Sequence, residues 1–176
     1  MEFVFTPTEN GLSGLDVPYI EDARASIAPY YRSAIKLSMA MSEVSSELAK
    51  LGALAPLIQD GYFNVGKTKR YGYIVTFQYG GGRGVIRVAG LPIKLGETNH
   101  KIEQVRRQAL LIVRDWLKAA VTAKIFNPGS DPLIPYMLVN GEQTVTDYIH
   151  SMQRLPEIAA PKIIEGEIVE MQKPLL

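Results

Sequence analysis

The feature that most limits the fold of this chain is a pair of alternating segments on either side of three consecutive glycines, Gly80-Gly81-Gly82. Residues 71–79, YGYIVTFQY, place an aromatic or apolar side chain at every second position, and residues 83–93, RGVIRVAGLPI, also alternate. Such alternation is typical of β-strands, whose successive side chains point to opposite faces. Because glycines favour the tight turn that joins two strands, we predict an antiparallel hairpin.

A two-stranded hairpin is only marginally stable, so a helix must cover one of its faces. The best candidate is residues 98–125, which Thr98 or Asn99 can cap and which Asn127-Pro128-Gly129 ends. Its apolar stripe is wide enough to cover the hairpin and consists of Ile102, Val105, Ala109, Ile112, Val113, Trp116 and Ala120. We expect Trp116 to lie in the core, because large aromatic side chains at such positions usually supply burial.

A shorter helix is predicted within residues 33–51, where Met41, Val44, Leu48 and Leu51 have helical spacing. Gly52 and Pro56 stop it. The residues before Gly61 look like a helix end, and residues 62–65 are expected to supply a third strand.

The domain organisation follows from these elements. We predict an α+β fold in which residues 33–152 form a single domain, a small antiparallel sheet covered by the long helix. Within it, residues 133–149 predict a short hydrophobic strand, a turn at Asn140-Gly141 and a second short element from Thr144. Residues 1–32 predict an extended arm. For the acidic tail of residues 153–176, disorder, strand pairing and competition with an anion for the basic face are alternatives.

Composition excludes several classes of site. The 176 residues include no cysteine, which excludes disulfides, thiolate zinc sites and cysteine nucleophiles. His100 and His150 lie far apart in the sequence, and the acids match no catalytic pattern. We therefore expect a protein that is not an enzyme and that holds no metal or cofactor. No apolar run approaches the ~20 residues of a membrane span, so a cytoplasmic location is expected.

The charge is unevenly distributed along the chain. Residues 67–124 contain twelve basic and three acidic residues, a net charge of +9, whereas the whole chain carries +1 and the remainder therefore −8. This asymmetry indicates an anionic partner for the middle of the chain. The alternative is a solvated surface on which lysines and arginines happen to cluster.

Aromatic and basic residues together predict binding of a single nucleic-acid strand, because bases stack on flat rings while cations follow the phosphates. The predicted binding residues on and around the hairpin are Lys67, Lys69, Arg70, Tyr71, Tyr73, Phe77, Tyr79, Arg83 and Arg87. A ridge on the long helix adds Arg107, Arg114 and Lys118. The hairpin register stays open: if the arginines share the aromatic face, that face is the platform, and otherwise the tyrosines are core residues.

Residues 61–68 match the phosphate-loop pattern G-x-x-x-x-G-K-[ST]. The pattern requires a strand before the loop and a helix after it, but strand-forming residues follow Thr68. We therefore expect Gly61 and Gly66 to serve tight turns, and nucleotide binding is only a third alternative.

The helix sequence of residues 106–121, RRQALLIVRDWLKAAV, is followed by an apolar segment and the turn Asn140-Gly141-Glu142-Gln143-Thr144-Val145. This order resembles a set of small uncharacterised bacteriophage proteins over about residues 47–149. The resemblance implies a phage or mobile-element origin and a bacterial host cytoplasm, and it implies no activity.

The favoured hypothesis is thus a nucleic-acid-binding protein that prefers single-stranded DNA and forms a homo-oligomer. The alternative is a self-assembling or partner-binding module, in which the arm and the acidic tail dock on the basic body of a neighbour.

Overall fold

The computed structural model describes residues 3–5, 17–24, 28–65 and 68–153. Its elements in chain order are β1 (Phe3–Phe5), α1 (Leu37–Lys50), β2 (Leu54–Val65), β3 (Thr68–Tyr79), β4 (Gly82–Ala89), α2 (Asn99–Phe126), a 3₁₀ turn (Ile134–Tyr136) and α3 (Val145–Gln153). The predicted α+β class is confirmed. None of the helices in these ranges combines the length and the apolar character that crossing a membrane requires.

The sheet has the strand order β1-β2-β3-β4. β2, β3 and β4 are antiparallel neighbours, so the predicted glycine-turn hairpin is confirmed, and β1 pairs with β2 in parallel. Gly61 lies inside β2 opposite Gly72. The predicted helix end before Gly61 and the predicted turn at Gly61 are therefore wrong, because residues 57–65 pair with β3 without interruption, after an irregularity between Leu54 and Leu57. Gly66 lies outside the described residues.

Both long helices pack on one face of the sheet, which we call the inner face. Val44 and Leu48 of α1 and Leu110 and Leu117 of α2 are fully buried against Tyr73, Val75, Phe77 and Ile86 of the sheet. Thr98 caps α2 as predicted, since its hydroxyl accepts a hydrogen bond from the Lys101 amide. Trp116 is half-buried at the edge of this core, where its ring meets that of Tyr136 edge-on at 5.0 Å.

Residues 28–36 lie along residues 104–115 of α2 as a strap. Gln104, Arg107 and Gln108 of α2 donate side-chain hydrogen bonds to the backbone carbonyls of Tyr31, Ser33 and Pro29, respectively. Gln108 is 1% exposed and also accepts a hydrogen bond from the Leu91 amide. Because a buried amide must satisfy its donors and acceptors, Gln108 fixes both the strap and the exit of β4 against α2.

The segment after α2 differs from the prediction in one part. Residues 134–136 form a 3₁₀ turn in place of the predicted strand, because Pro132 and Pro135 each lack an amide donor and have a fixed φ. Only single bridges remain, Gly84 with Met137 and Leu138 with Thr144. Helix α3 then starts after Thr144, whose hydroxyl accepts from the Asp147 amide while the Asp147 carboxylate accepts from the Thr144 amide.

Glu21 ties residues 17–24 to the loop that precedes α2. Burial opposes the charged form of its carboxyl, but hydrogen bonds from Lys101 Nζ (2.8 Å) and from the amides of Lys94 (3.0 Å) and Leu95 (3.3 Å) outweigh that effect. Together they lower the pKa of Glu21 from 4.5 to about 2. A carboxyl whose pKa is lower in the folded state stabilises the fold above its unfolded pKa, and this stabilisation is lost as the pH falls.

We expect Glu21→Gln to lower the thermal unfolding midpoint at pH 7, because the amide replaces a charged acceptor of three hydrogen bonds. The difference from wild type should shrink between pH 4.5 and pH 2, where the wild-type carboxyl becomes protonated. Thermal melts over this pH range test the prediction. Asp22→Asn is the control, since its longer ion pair with Lys94 (3.5 Å) is more exposed. A difference that does not depend on pH would contradict this role of the carboxylate.

Candidate nucleic-acid interface

The register of the β3–β4 hairpin separates the aromatic residues from the arginines. Tyr73 lies opposite Val88 and Phe77 opposite Gly84, on the inner face. Arg87 lies opposite Ile74, and Arg83 opposite Gln78, on the other face of the sheet, which we call the outer face. The open question about the hairpin is thus decided in favour of tyrosines that belong to the core.

The aromatic platform predicted from the sequence is therefore corrected. Tyr71, Tyr73 and Phe77 are 3%, 1% and 2% exposed, and a base cannot stack on a ring that the protein already encloses. Phe77 fits closely because Gly84 leaves room for it: a Cβ at Gly84 would lie 2.4 Å from the Phe77 ring. Tyr79 is half-buried, and its hydroxyl donates to Asp131 Oδ2 at 2.7 Å.

The predicted phosphate-binding ridge on the long helix is corrected as well. Arg107 donates to the Ser33 carbonyl of the strap (2.7 Å) and pairs with Glu103 (2.6 Å). Arg114 is 8% exposed, and hydrogen bonds from its guanidinium to Asp115 (2.7 Å) and Glu43 (2.9 Å) raise its pKa despite burial. Of the three residues only Lys118 is exposed and has no ion pair with another described residue.

Tyr30 explains why Arg114 is held so firmly. The Tyr30 hydroxyl donates to Asp115 and accepts from Arg114 at 3.3 Å, and the guanidinium lies 5.4 Å from the centre of the Tyr30 ring. The hydrogen bond to Asp115 is the main reason that the pKa of Tyr30 is raised. Arg114 thus fastens the strap to α2, which is a structural role.

Much of the positive charge of residues 67–124 is balanced by ion pairs within the chain. Four cations of the basic segment form ion pairs with acids that precede residue 67: Lys94 with Asp22 (3.5 Å), Lys101 with Glu21 (2.8 Å), Arg106 with Asp60 (2.9 Å) and Arg114 with Glu43 (2.9 Å). The charge left for an anionic partner is therefore smaller than the net +9 of the segment suggests.

The cations at the far end of the hairpin also have partners. Lys69 Nζ lies above the Tyr62 and Tyr71 rings, at 4.3 and 4.6 Å from their centres, and 3.7 Å from Glu97. Arg70 donates to the carbonyls of Gly90 (3.0 Å) and Ala89 (3.5 Å), and burial lowers its pKa. Lys67 lies outside the described residues.

Arg83 and Arg87 are the two predicted residues that the outer face exposes together. The Arg83 guanidinium has no ion pair or hydrogen bond with another described residue. Arg87 pairs with Asp147 at 3.2 Å and donates to the Glu142 carbonyl at 3.5 Å, in an exposed setting. Between the two arginines and residues 138–142 lies a groove of about 190 Å³, lined also by Gln59, Ile74, Thr76, Val85 and Leu138.

Gln59, Thr76 and Glu142 are the polar groove residues that the sequence did not indicate. The sequence before Gly61 predicts a helix end and so gives no reason to place Gln59 on a sheet face. In the structure this segment is part of β2. Thr76 lies on the hairpin face opposite the aromatics, but nothing in its immediate sequence distinguishes it from an ordinary strand residue. The face that Gln59 occupies follows only from the pairing of β2 with β3, in which Gln59 lies opposite Ile74.

The phosphate-loop match has a different setting from the one its pattern needs. Thr68 begins strand β3, so the described residues place no helix immediately after the match, and residues 66–67 lie outside them. Within the described ranges, no group of three or more histidine, cysteine, aspartate or glutamate side chains is placed to hold a metal ion.

The outer face thus offers two exposed guanidinium groups beside a groove that Glu142 also lines, and the two guanidinium groups suit contact with an extended anion. Comparison with known proteins gives no match to a family model, a curated protein or a solved structure.

Proposed function

We propose that this protein binds nucleic acid through the outer face of its sheet, with Arg83 and Arg87 contacting phosphates. The observation that carries the proposal is that these two arginines are exposed on a sheet face on which neither α1 nor α2 packs, while most described cations of α2 have partners within the chain. Guanidinium groups bind phosphate oxygens through two parallel hydrogen bonds, so two of them can position a strand.

The geometry of the outer face supports contact with a backbone. Arg83 and Arg87 are four residues apart on β4, so their Cα atoms are separated by about 13 Å along the strand. Gln59 and Ile74 are half-buried in the groove beside Arg87 and offer one hydrogen-bonding group and one apolar group, whereas Thr76 and Val85 are 7% and 6% exposed.

Single-stranded DNA remains the ligand that we propose, but without aromatic stacking as its basis. Phe63, the aromatic residue of β2 on the outer face, is 4% exposed. Affinity would then come from phosphates, and each phosphate neutralised contributes about −0.7 to the slope of log K against log salt concentration for a single strand. Two arginines predict weak binding that falls with added salt.

The test is fluorescence anisotropy of a labelled oligo(dT), with a duplex of equal length for comparison, over a salt series. We expect Arg83→Ala to weaken binding and to make the salt slope shallower by about 0.7. Lys118→Ala is the matched control, because it removes one exposed charge from α2 and should leave the slope unchanged. Equal effects of the two substitutions would contradict an outer-face site.

Self-assembly is the second candidate, and a separate observation favours it. Leu54, Ile125 and Phe126 are 66%, 69% and 84% exposed. They lie at the same end of the domain, since Lys124 of α2 donates to the Leu51 carbonyl just before β2. Exposed apolar groups gathered at one end suit an interface between copies of the chain. If oligo(dT) does not bind at low salt, this candidate leads, and sedimentation of the protein over a concentration series checks it.

The resemblance to bacteriophage proteins supports a further part of the proposal, namely that the protein acts in the cytoplasm of a bacterial host. This origin stays a prediction that rests on the residues quoted for the resemblance.

A further inference from the structure

A cavity of about 520 Å³ opens on the inner side of the sheet, where the first turns of α1 and α2 separate. Leu37, Met41 and Ile102 form its apolar walls, and Tyr73 contributes to its floor. The volume lies within the range of sites for small organic ligands, which are mostly apolar with a few convergent polar groups. The sheet lies between this cavity and the exposed arginines of the outer face.

The Tyr73 hydroxyl is the unusual group in this cavity. The residue is only 1% exposed, and its hydroxyl makes no hydrogen bond with any other described residue. Burial raises the pKa of Tyr73 to about 12, with further electrostatic effects from Arg106, Asp60 and Glu103, which line the same cavity. Tyr73 lines the cavity, and its hydroxyl stays protonated near neutral pH. Buried hydroxyl groups normally have a partner, so this one has a hydrogen bond to offer a ligand.

The charges around the cavity favour a ligand without net charge. Arg106 pairs with Asp60 at 2.9 Å, and Glu103 pairs with Arg107 at 2.6 Å, so the positive groups are already balanced. The side chains of Asp60 and Glu103 are 53% and 52% exposed at the rim. These carboxylates can accept hydrogen bonds from N–H groups, and the charged residues that line the cavity, Asp60, Glu103 and Arg106, have a net charge of −1, which disfavours an anionic ligand.

We propose that this cavity binds a neutral nitrogen heterocycle of the nucleobase or nucleoside class. A carbonyl or ring nitrogen of the ligand accepts the hydrogen bond of Tyr73, and its N–H groups donate to Asp60 or Glu103. Leu37, Met41 and Ile102 contact the faces of the flat ring. Bases are held in this way in proteins, by hydrogen bonds to one edge and apolar or aromatic contact on the faces. Because a phosphate would meet the rim carboxylates, the free nucleoside should bind better than its 5′-monophosphate.

Isothermal titration calorimetry of the full chain with adenosine, guanosine, cytidine and uridine tests this site. We expect at least one nucleoside to bind saturably, and Tyr73→Phe to weaken that binding about fivefold, the effect of losing one neutral hydrogen bond. Tyr136→Phe is the matched control: it removes the hydroxyl of a half-buried tyrosine that lies beside Trp116 and does not line the cavity. It should bind the same nucleoside as wild type does.

Thermal melts of both variants establish that each is folded, and Tyr73→Phe should keep or raise the midpoint because it removes an unpaired hydroxyl. The proposal is overturned if no nucleoside binds at millimolar concentration, if Tyr73→Phe binds as tightly as wild type, or if the monophosphate binds more tightly than the nucleoside. The nucleoside test can fail without affecting the outer-face proposal. That proposal is tested with Arg83→Ala, and Arg83 lies on the opposite face of the sheet.

Discussion

Replacing Gly90 with alanine should destabilise the protein by about 3 kcal/mol or more, close to the upper end for overpacking a core. A Cβ at this position would lie 2.1 Å from the backbone oxygen of Val105 and 2.7 Å from its carbonyl carbon. Since both atoms belong to the backbone of α2, no side-chain rotation can relieve the clash. The helix would have to move away from the end of β4, where the Gly90 amide donates to the Tyr71 carbonyl at 2.9 Å.

Urea unfolding followed by circular dichroism measures this effect as a shift of the midpoint. Gly129→Ala is the control, because the nearest atom that its Cβ would meet is Asn127 Oδ1 at 3.7 Å. We expect that variant to change stability by less than about 0.5 kcal/mol, as surface substitutions usually do. Equal midpoints for the two variants would show that α2 does not approach Gly90 as closely as the structure has it.

Phe77→Ala should also cost about 3–5 kcal/mol, which is typical of truncating a fully buried aromatic residue. The ring is 2% exposed and fills the space above Gly84, so its removal leaves a cavity in the core. Phe126→Ala is the control, because it is the same substitution at a residue that is 84% exposed at the end of α2. Thermal or urea unfolding of the two variants tests the prediction.

The Phe77 result also bears on function. If Phe77 is a core residue, any loss of oligonucleotide binding in Phe77→Ala will accompany loss of folded protein. A folded variant with weakened binding of oligo(dT) would contradict its burial and restore the aromatic platform that the sequence predicted. The comparison of circular dichroism with anisotropy on the same sample decides between these outcomes.

Elements whose signals are local were predicted well from the sequence. Helix α2 was expected over residues 98–125 and is Asn99–Phe126, with Thr98 as its cap. The hairpin was expected from alternation around Gly80-Gly81-Gly82 and is β3 and β4. Caps, glycine turns and periodic apolar positions act within a few residues, so the chain displays them without its tertiary context.

The formation of strand β2 and the location of the site depend on contacts between residues that are distant in the sequence. Residues 54–65 carry prolines, glycine and polar side chains without a clean period, and they become a strand because β3 supplies hydrogen-bond partners. Of the predicted cations, Arg107 and Arg114 are used to fasten the strap, which no local pattern could indicate.

The sequence by itself thus determined the α+β class, the long helix and the hairpin. It also placed the aromatic residues together on one face of the first hairpin strand and the two arginines together on one face of the second. Only the tertiary structure decided which face each set occupies. The physical reason is that strand side chains alternate with a period of two, so both faces of the hairpin were possible platforms until the helices covered one of them. Burying the apolar stripe of α2 against the aromatic face left Arg83 and Arg87 exposed on the outer face.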